Sequence, residues 1–100
     1  MDIYFSTNNT DFVWNERKAA SNKVKHGISF EQATAAFFDP LFKLVDASAN
    51  QEVRDAILGF DALGNLLFVV HIVIEDELIR IISARKATSM ERNYYDSWYA

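Results

Sequence analysis

Leu66-Leu67-Phe68-Val69-Val70-His71-Ile72-Val73-Ile74, then Glu75-Asp76-Glu77, then Leu78-Ile79-Arg80-Ile81-Ile82-Ser83-Ala84-Arg85-Lys86, decides how this chain folds. Two apolar runs of strand length flank three acidic residues, too short a link for a parallel crossover, so they read as an antiparallel pair. The first run is apolar on both faces and belongs in the middle of a sheet. The second is interrupted by Arg80 and leaves through Arg85 and Lys86. A guanidinium in a core strand is costly to desolvate, so it needs an acidic partner or an anionic ligand. Arg80 and Arg85 are five residues apart and point to opposite faces of an unbroken strand. A common site for both requires the strand to bulge or end before Arg85.

Working outward, Val53 to Phe60 reads as a strand joined to Leu66 by the Gly-Asn turn at residues 61–65, and Leu41 to Val45 as the strand before it. Upstream, Phe12-Val13-Trp14 is a short strand. Asn15 caps a helix through about Lys25 that Gly27 stops, and Ser29 caps a second helix that Asp39-Pro40 ends. Downstream, Thr88-x-x-Glu91 is a capping box opening a last helix through about Trp98. The expected fold is α+β: a four- to five-stranded, mainly antiparallel meander with two N-terminal helices and one C-terminal helix.

The 100 residues carry no repeat or linker and suit one domain, with residues 1–11 as an N-terminal extension. No cysteine is present, which excludes disulfides and thiolate metal sites and suits a reducing cytoplasm. The N-terminus lacks a basic, apolar leader, and the longest apolar run is about half of a spanning helix, so a soluble protein without a membrane partner is expected. The net charge of −4 is unevenly spread: residues 27–77 hold two cations against nine acids, whereas residues 78–100 hold four against two. A basic region beside an acidic one is what a polyanion site within an acidic protein requires.

On the first helix Lys18, Asn22, Lys25 and His26 share one stripe. Two cations, an amide and an imidazole can grip a phosphate and move a proton. Arg54, Arg80, Arg85 and Lys86 are the candidate converging cations. On the last helix Tyr95 shares a stripe with Arg92 and could stack a base. His71 reads as a core histidine, and Glu75-Asp76-Glu77 as a solvated turn. Two histidines so placed do not suggest a metal site, and no cofactor is expected.

The segments Lys18-x-x-x-Asn22-x-x-Lys25-His26-Gly27-x-Ser29-Phe30-Glu31-x-Ala33, Phe38-Asp39-Pro40 and Ile79-Arg80-Ile81-Ile82-Ser83-Ala84-Arg85-x-Ala87, closed by Glu91-Arg92-x-x-Tyr95, resemble the BrnT toxins of bacterial type II toxin–antitoxin pairs. The resemblance runs over roughly residues 12–96. It implies a small RelE-like fold, metal-free RNA cleavage that inhibits translation, and neutralisation by a cognate BrnA-like ribbon-helix-helix antitoxin, with DNA bound only through that antitoxin. Carried over by residue, it implies Lys25, His26, Arg54, Arg80 and Arg85 as the catalytic set, with Lys18, Asn22, Lys86, Arg92 and Tyr95 as RNA contacts. The competing reading is a non-catalytic module that binds RNA or an acidic partner without cleavage. A metal-dependent hydrolase built on His71 and residues 75–77 is a third. The nuclease reading requires the early helix and the late arginine strand to line one pocket, with neither set tied to carboxylates of its own.

Overall fold

In chain order the computed structural model has β1 (Asp2–Thr7), β2 (Thr10–Asn15), α1 (Glu16–His26), α2 (Phe30–Thr34), a 3-10 turn (Ala35–Phe38), β3 (Lys43–Asp46), β4 (Asp55–Phe60), β5 (Leu66–Ile74), β6 (Leu78–Lys86) and α3 (Ser89–Asp96). It describes residues 1–47, 54–75 and 77–97. The six strands form one sheet in the order β1-β2-β6-β5-β4-β3.

The strand count is corrected here: the sheet has six strands, mainly antiparallel as expected, but not a pure meander, because β2 and β6 run parallel, Phe12 beside Ile79 and Val13 beside Arg80. Two helices and three strands separate β2 from β6, ample length for the crossover a parallel pair needs. The segment before Phe12, expected as an N-terminal extension, is part of the sheet. Asp2 to Thr7 pairs residue for residue with β2, and the two-residue turn Asn8-Asn9 joins them with φ of 49° and 60°. Asparagine tolerates this left-handed backbone better than most residues, and two such residues make the hairpin turn whose twist suits the flanking strands.

Partners across a ladder share a face, so the register sorts the core. On one face Phe12, Trp14, Ile57, Leu67, Val69, Ile81 and Ala84 meet Ile28, Phe30, Ala33 and Ala36 from the α2 region. On the other, Leu58 and Leu66 pack under Tyr95 of α3. The first layer is close enough that a Cβ on Gly59 would stand 2.3 Å from the Ala36 carbonyl oxygen, so β4 accepts only glycine there. The turn after β4 is tied to α2 through Asp61, whose carboxylate accepts from Gln32 Nε2 (2.7 Å) and from the Leu63 and Asn65 N–H groups (2.9 and 2.8 Å). Burial pushes the Asp61 carboxyl up, but these donors hold it below the usual range.

The caps fall where expected. Asn15, Ser29 and Thr88 accept from the first-turn N–H groups of their helices, and Thr88 with Glu91 completes the capping box. The second helix is shorter than expected, because the chain tightens into the 3-10 turn at Ala35. Leu41 lies in a turn that Phe42 N–H closes onto the Asp39 carbonyl, so β3 begins at Lys43. Val53 and Trp98, expected at the ends of a strand and a helix, lie outside the described residues.

Candidate nucleic-acid interface

The site begins where β2 ends. At Asn15 the chain leaves the sheet and coils into α1, its Oδ1 accepting from the Arg17 and Lys18 N–H groups at 3.0 and 3.1 Å. Beyond Arg80, β6 therefore has no described strand partner on that side. The side chain of Asn22 supplies one. Its Oδ1 accepts from the Ala84 N–H at 3.0 Å, and its Nδ2 donates to the Ala84 carbonyl at 2.8 Å and the Ile28 carbonyl at 2.9 Å. The carboxamide mimics one peptide of a neighbouring strand and locks α1 along the β6 edge. Asn22 is 7% exposed and its carboxamide is engaged on backbone, which makes it a structural tie beside the RNA contact expected of it.

Above that tie lies an open groove of about 310 Å³, lined by Arg17, Lys18, Ser21, Asn22, Lys25 and His26 of α1 and by Ile82 and Ser83 of β6. Its size is at the small end of ligand clefts. No carboxylate lines it. The stripe expected on α1 does face β6. Arg17, Ser21 and Ser83 were not singled out from sequence, although the row Arg17, Ser21, Lys25 runs beside the stripe at helical spacing, so a half-turn-wide face would have included it.

Strand β6 meets the demand placed on it. Val70 pairs with Ser83 but His71 pairs with Ile81, leaving Ile82 as an extra residue. This bulge shifts the alternation by one. Arg80 then lies opposite Ile72 and Arg85 opposite Phe68, which places both arginines and Ser83 on one face.

Neither arginine lines the groove, however, and both have carboxylate partners. Arg80 donates to Asp2 Oδ1 and Oδ2 at 3.3 and 2.9 Å. Arg85 donates to both oxygens of Glu91 at 2.8 Å and lies 4.3 Å from the centroid of the Phe68 ring. Arg85 holds Glu91 below the usual carboxylate range against the opposing effect of burial. The arginine wall expected from the sequence is thus corrected: β6 gives the groove Ile82 and Ser83, and its guanidiniums anchor the two terminal elements.

The remaining candidates stand apart. Arg54 precedes β4, its carbonyl accepting from the Ala47 N–H, and is not among the groove residues. Lys86 is exposed at the end of β6, and the Arg92 guanidinium lies 5.8 Å from the Phe60 ring centroid. Tyr95 is 9% exposed, packs edge-on against Phe60, and donates its hydroxyl to Asp39 Oδ2 at 2.5 Å. Burial and the Asp39 carboxylate push the Tyr95 hydroxyl up to about 12. A ring so enclosed cannot stack a base, which corrects that expectation. His71 is a core residue, 4% exposed, with Nδ1 3.2 Å from the Val69 carbonyl and Phe37 edge-on at 4.9 Å. Burial lowers its pKa. Among the described residues no three His, Cys, Asp or Glu side chains are grouped to hold a metal, and no helix is long and apolar enough to cross a membrane.

Residues 14–91 match the family model described as the ribonuclease toxin, BrnT, of type II toxin–antitoxin systems. The chain belongs to the BrnT family. The match covers α1, the groove and β6, and starts after β1 and most of β2. The 1.1 Å crystal structure of the Brucella abortus ribonuclease toxin, BrnT, is similar to this chain with a TM-score of 0.61 and 23% identity, over 76% of this chain and 94% of that one. At that identity the likeness speaks for the fold. No curated protein sequence matches the chain.

Proposed function

We propose that this member of the BrnT family is a metal-independent endoribonuclease whose active groove lies between α1 and β6. The arginine half of the condition set from the sequence fails, since Arg80 and Arg85 are tied to Asp2 and Glu91; what carries the reading is the α1 side of the groove, where Arg17, Lys18, Lys25 and His26 line one cleft with Ile82 and Ser83 and no carboxylate among them. In such a site the RNA's own 2′-hydroxyl attacks the adjacent phosphorus, leaving a 2′,3′-cyclic phosphate and releasing a 5′-hydroxyl. The step needs a proton acceptor, a proton donor to the leaving oxygen, and positive charge on the crowded phosphate. His26 and Lys25, on the last turn of α1, exchange the protons. Arg17 and Lys18 hold the phosphate from the first turn. Asn22 positions the helix that carries all four.

A type II toxin requires a protein antitoxin, and we take the partner to be a BrnA-like ribbon-helix-helix protein, with DNA reached only through it and RNA cleavage in the cytoplasm. The test is cleavage of an RNA oligomer in excess chelator. The wild type should cut and leave cyclic phosphate ends, while Lys25→Ala and His26→Ala should each slow cleavage by about 100-fold or more, the usual worth of a proton-transfer group. Loss of cleavage with the chelator, or wild-type rates in both variants, refutes the reading.

A further inference from the structure

Arg80 is held in a way that resembles how it would hold RNA. Both Nη atoms donate to both oxygens of Asp2, the paired geometry in which a guanidinium also takes a phosphate. We propose that Asp2 is a positioning residue that competes with substrate phosphate for Arg80, so that the N-terminal strand sets how tightly the chain grips RNA. The proposal rests on the RNA-cleaving reading above.

Three observations place the competition at the groove. The Ile82 bulge puts Arg80 on the same face as Ser83, which lines the groove, and two residues before Ile82, a rise of about 7 Å along the strand. Asp2 stands opposite Asn15, the cap of α1, and the Met1 carbonyl accepts from the Glu16 N–H at 2.9 Å, so β1 is fastened at the groove's helix end. Finally, the ion pair is part-exposed, with side-chain exposures of 27% for Arg80 and 37% for Asp2. A pair so solvated is weak, and an arriving phosphate can replace the carboxylate at small cost. Arg80 lies within the region matched to the family, whereas Asp2 precedes it. The competitor therefore comes from outside the family's matched core.

The test uses the full chain and a single-stranded oligonucleotide whose 2′-hydroxyls are replaced by hydrogen so that it cannot be cut. Its affinity is measured over a series of salt concentrations. Asp2→Asn keeps the shape of the side chain and the backbone pairing of β1 but removes the charge. It should bind about threefold to tenfold tighter than wild type. Its plot of log affinity against log salt should steepen by about 0.7, the signature of one further phosphate neutralised on a single strand. Asp2→Ser should reproduce both changes, and adding Arg80→Ala should erase them. If wild type cleaves RNA yet Asp2→Asn and Asp2→Ser bind with wild-type affinity and slope, the competition is refuted and the nuclease reading stands. If neither wild type nor variants bind or cleave RNA, both fall together.

Discussion

Replacing Asn22 with leucine keeps the branching at Cγ and the same count of heavy atoms but removes every polar one. Three buried backbone groups then lose their partners: the Ala84 N–H, the Ala84 carbonyl and the Ile28 carbonyl, now satisfied at 3.0, 2.8 and 2.9 Å. Each abandoned group costs about 1–3 kcal/mol. Water entering from the open groove recovers part of that, so the net loss should be about 3–5 kcal/mol. Against a typical domain stability of about 5–15 kcal/mol this is severe. In urea, with a slope of about 1.5 kcal/mol per molar, the midpoint should fall by about 2–3 M with the slope unchanged. Asn22→Asp is the control that separates lost packing from lost donors. Its carboxylate can still accept from Ala84 N–H but turns negative charge on two carbonyl oxygens, so it should be at least as unstable at neutral pH. It should recover part of the loss under mild acid, where a protonated carboxyl donates again. A leucine variant within about 1 kcal/mol of wild type, or an aspartate variant as stable as wild type at neutral pH, would refute the strand-mimic account.

Two further outcomes follow from the packing and the charges. Gly59→Ala should lower stability by about 2–3 kcal/mol in the same urea assay, because the new methyl meets backbone at Ala36 rather than a side chain that can turn aside. Acid should lower stability over two separate pH windows. His71 is held neutral by burial, so its contribution is complete above the unfolded histidine value near 6.5 and declines as pH falls through it toward the lower folded value. Glu91, Asp39 and Asp61 are all held below the usual carboxylate range, so their contribution is present above about 4 and is lost as pH drops through their depressed folded values. A melting temperature that stays flat from pH 7 to pH 3 contradicts this assignment.

The local grammar of the chain was readable because it is written in short-range chemistry. Asn15, Gly27, Ser29 and the Thr88–Glu91 pair each act on backbone within four residues, and the hairpin of β5 and β6 follows from two apolar runs and a tight acidic turn. What escaped depends on distant partners. Strand β1 alternates Ile3 and Phe5 with Asp2, Tyr4 and Ser6, but its start looks polar, and only Asn8-Asn9 advertised the hairpin. The parallel pairing of β2 with β6 joins residues far apart in sequence and leaves no local mark. In the site, the α1 stripe was legible as periodicity, and a bulge or an early end of β6 as the condition for Arg80 and Arg85 to share a face. The partners of Arg80 and Arg85 were not, since an arginine in a strand reads the same whether a carboxylate or a phosphate awaits it. Asn22 showed the same ambiguity: an amide on a cationic stripe looks like a ligand contact until the free strand edge beneath it is seen.

The odd residue at Ile82 divides β6 into two halves with opposite phase, one ending at Ile81 and the next carrying Ser83 and Arg85. Straightening this strand with every residue kept would rotate the downstream half and drive Arg85 into the layer of Leu67 and Val69. It would also turn Ala84 outward, away from the oily side it now fills. With five steps from one arginine to the next the kink is obligatory, whereas with four a straight strand would serve.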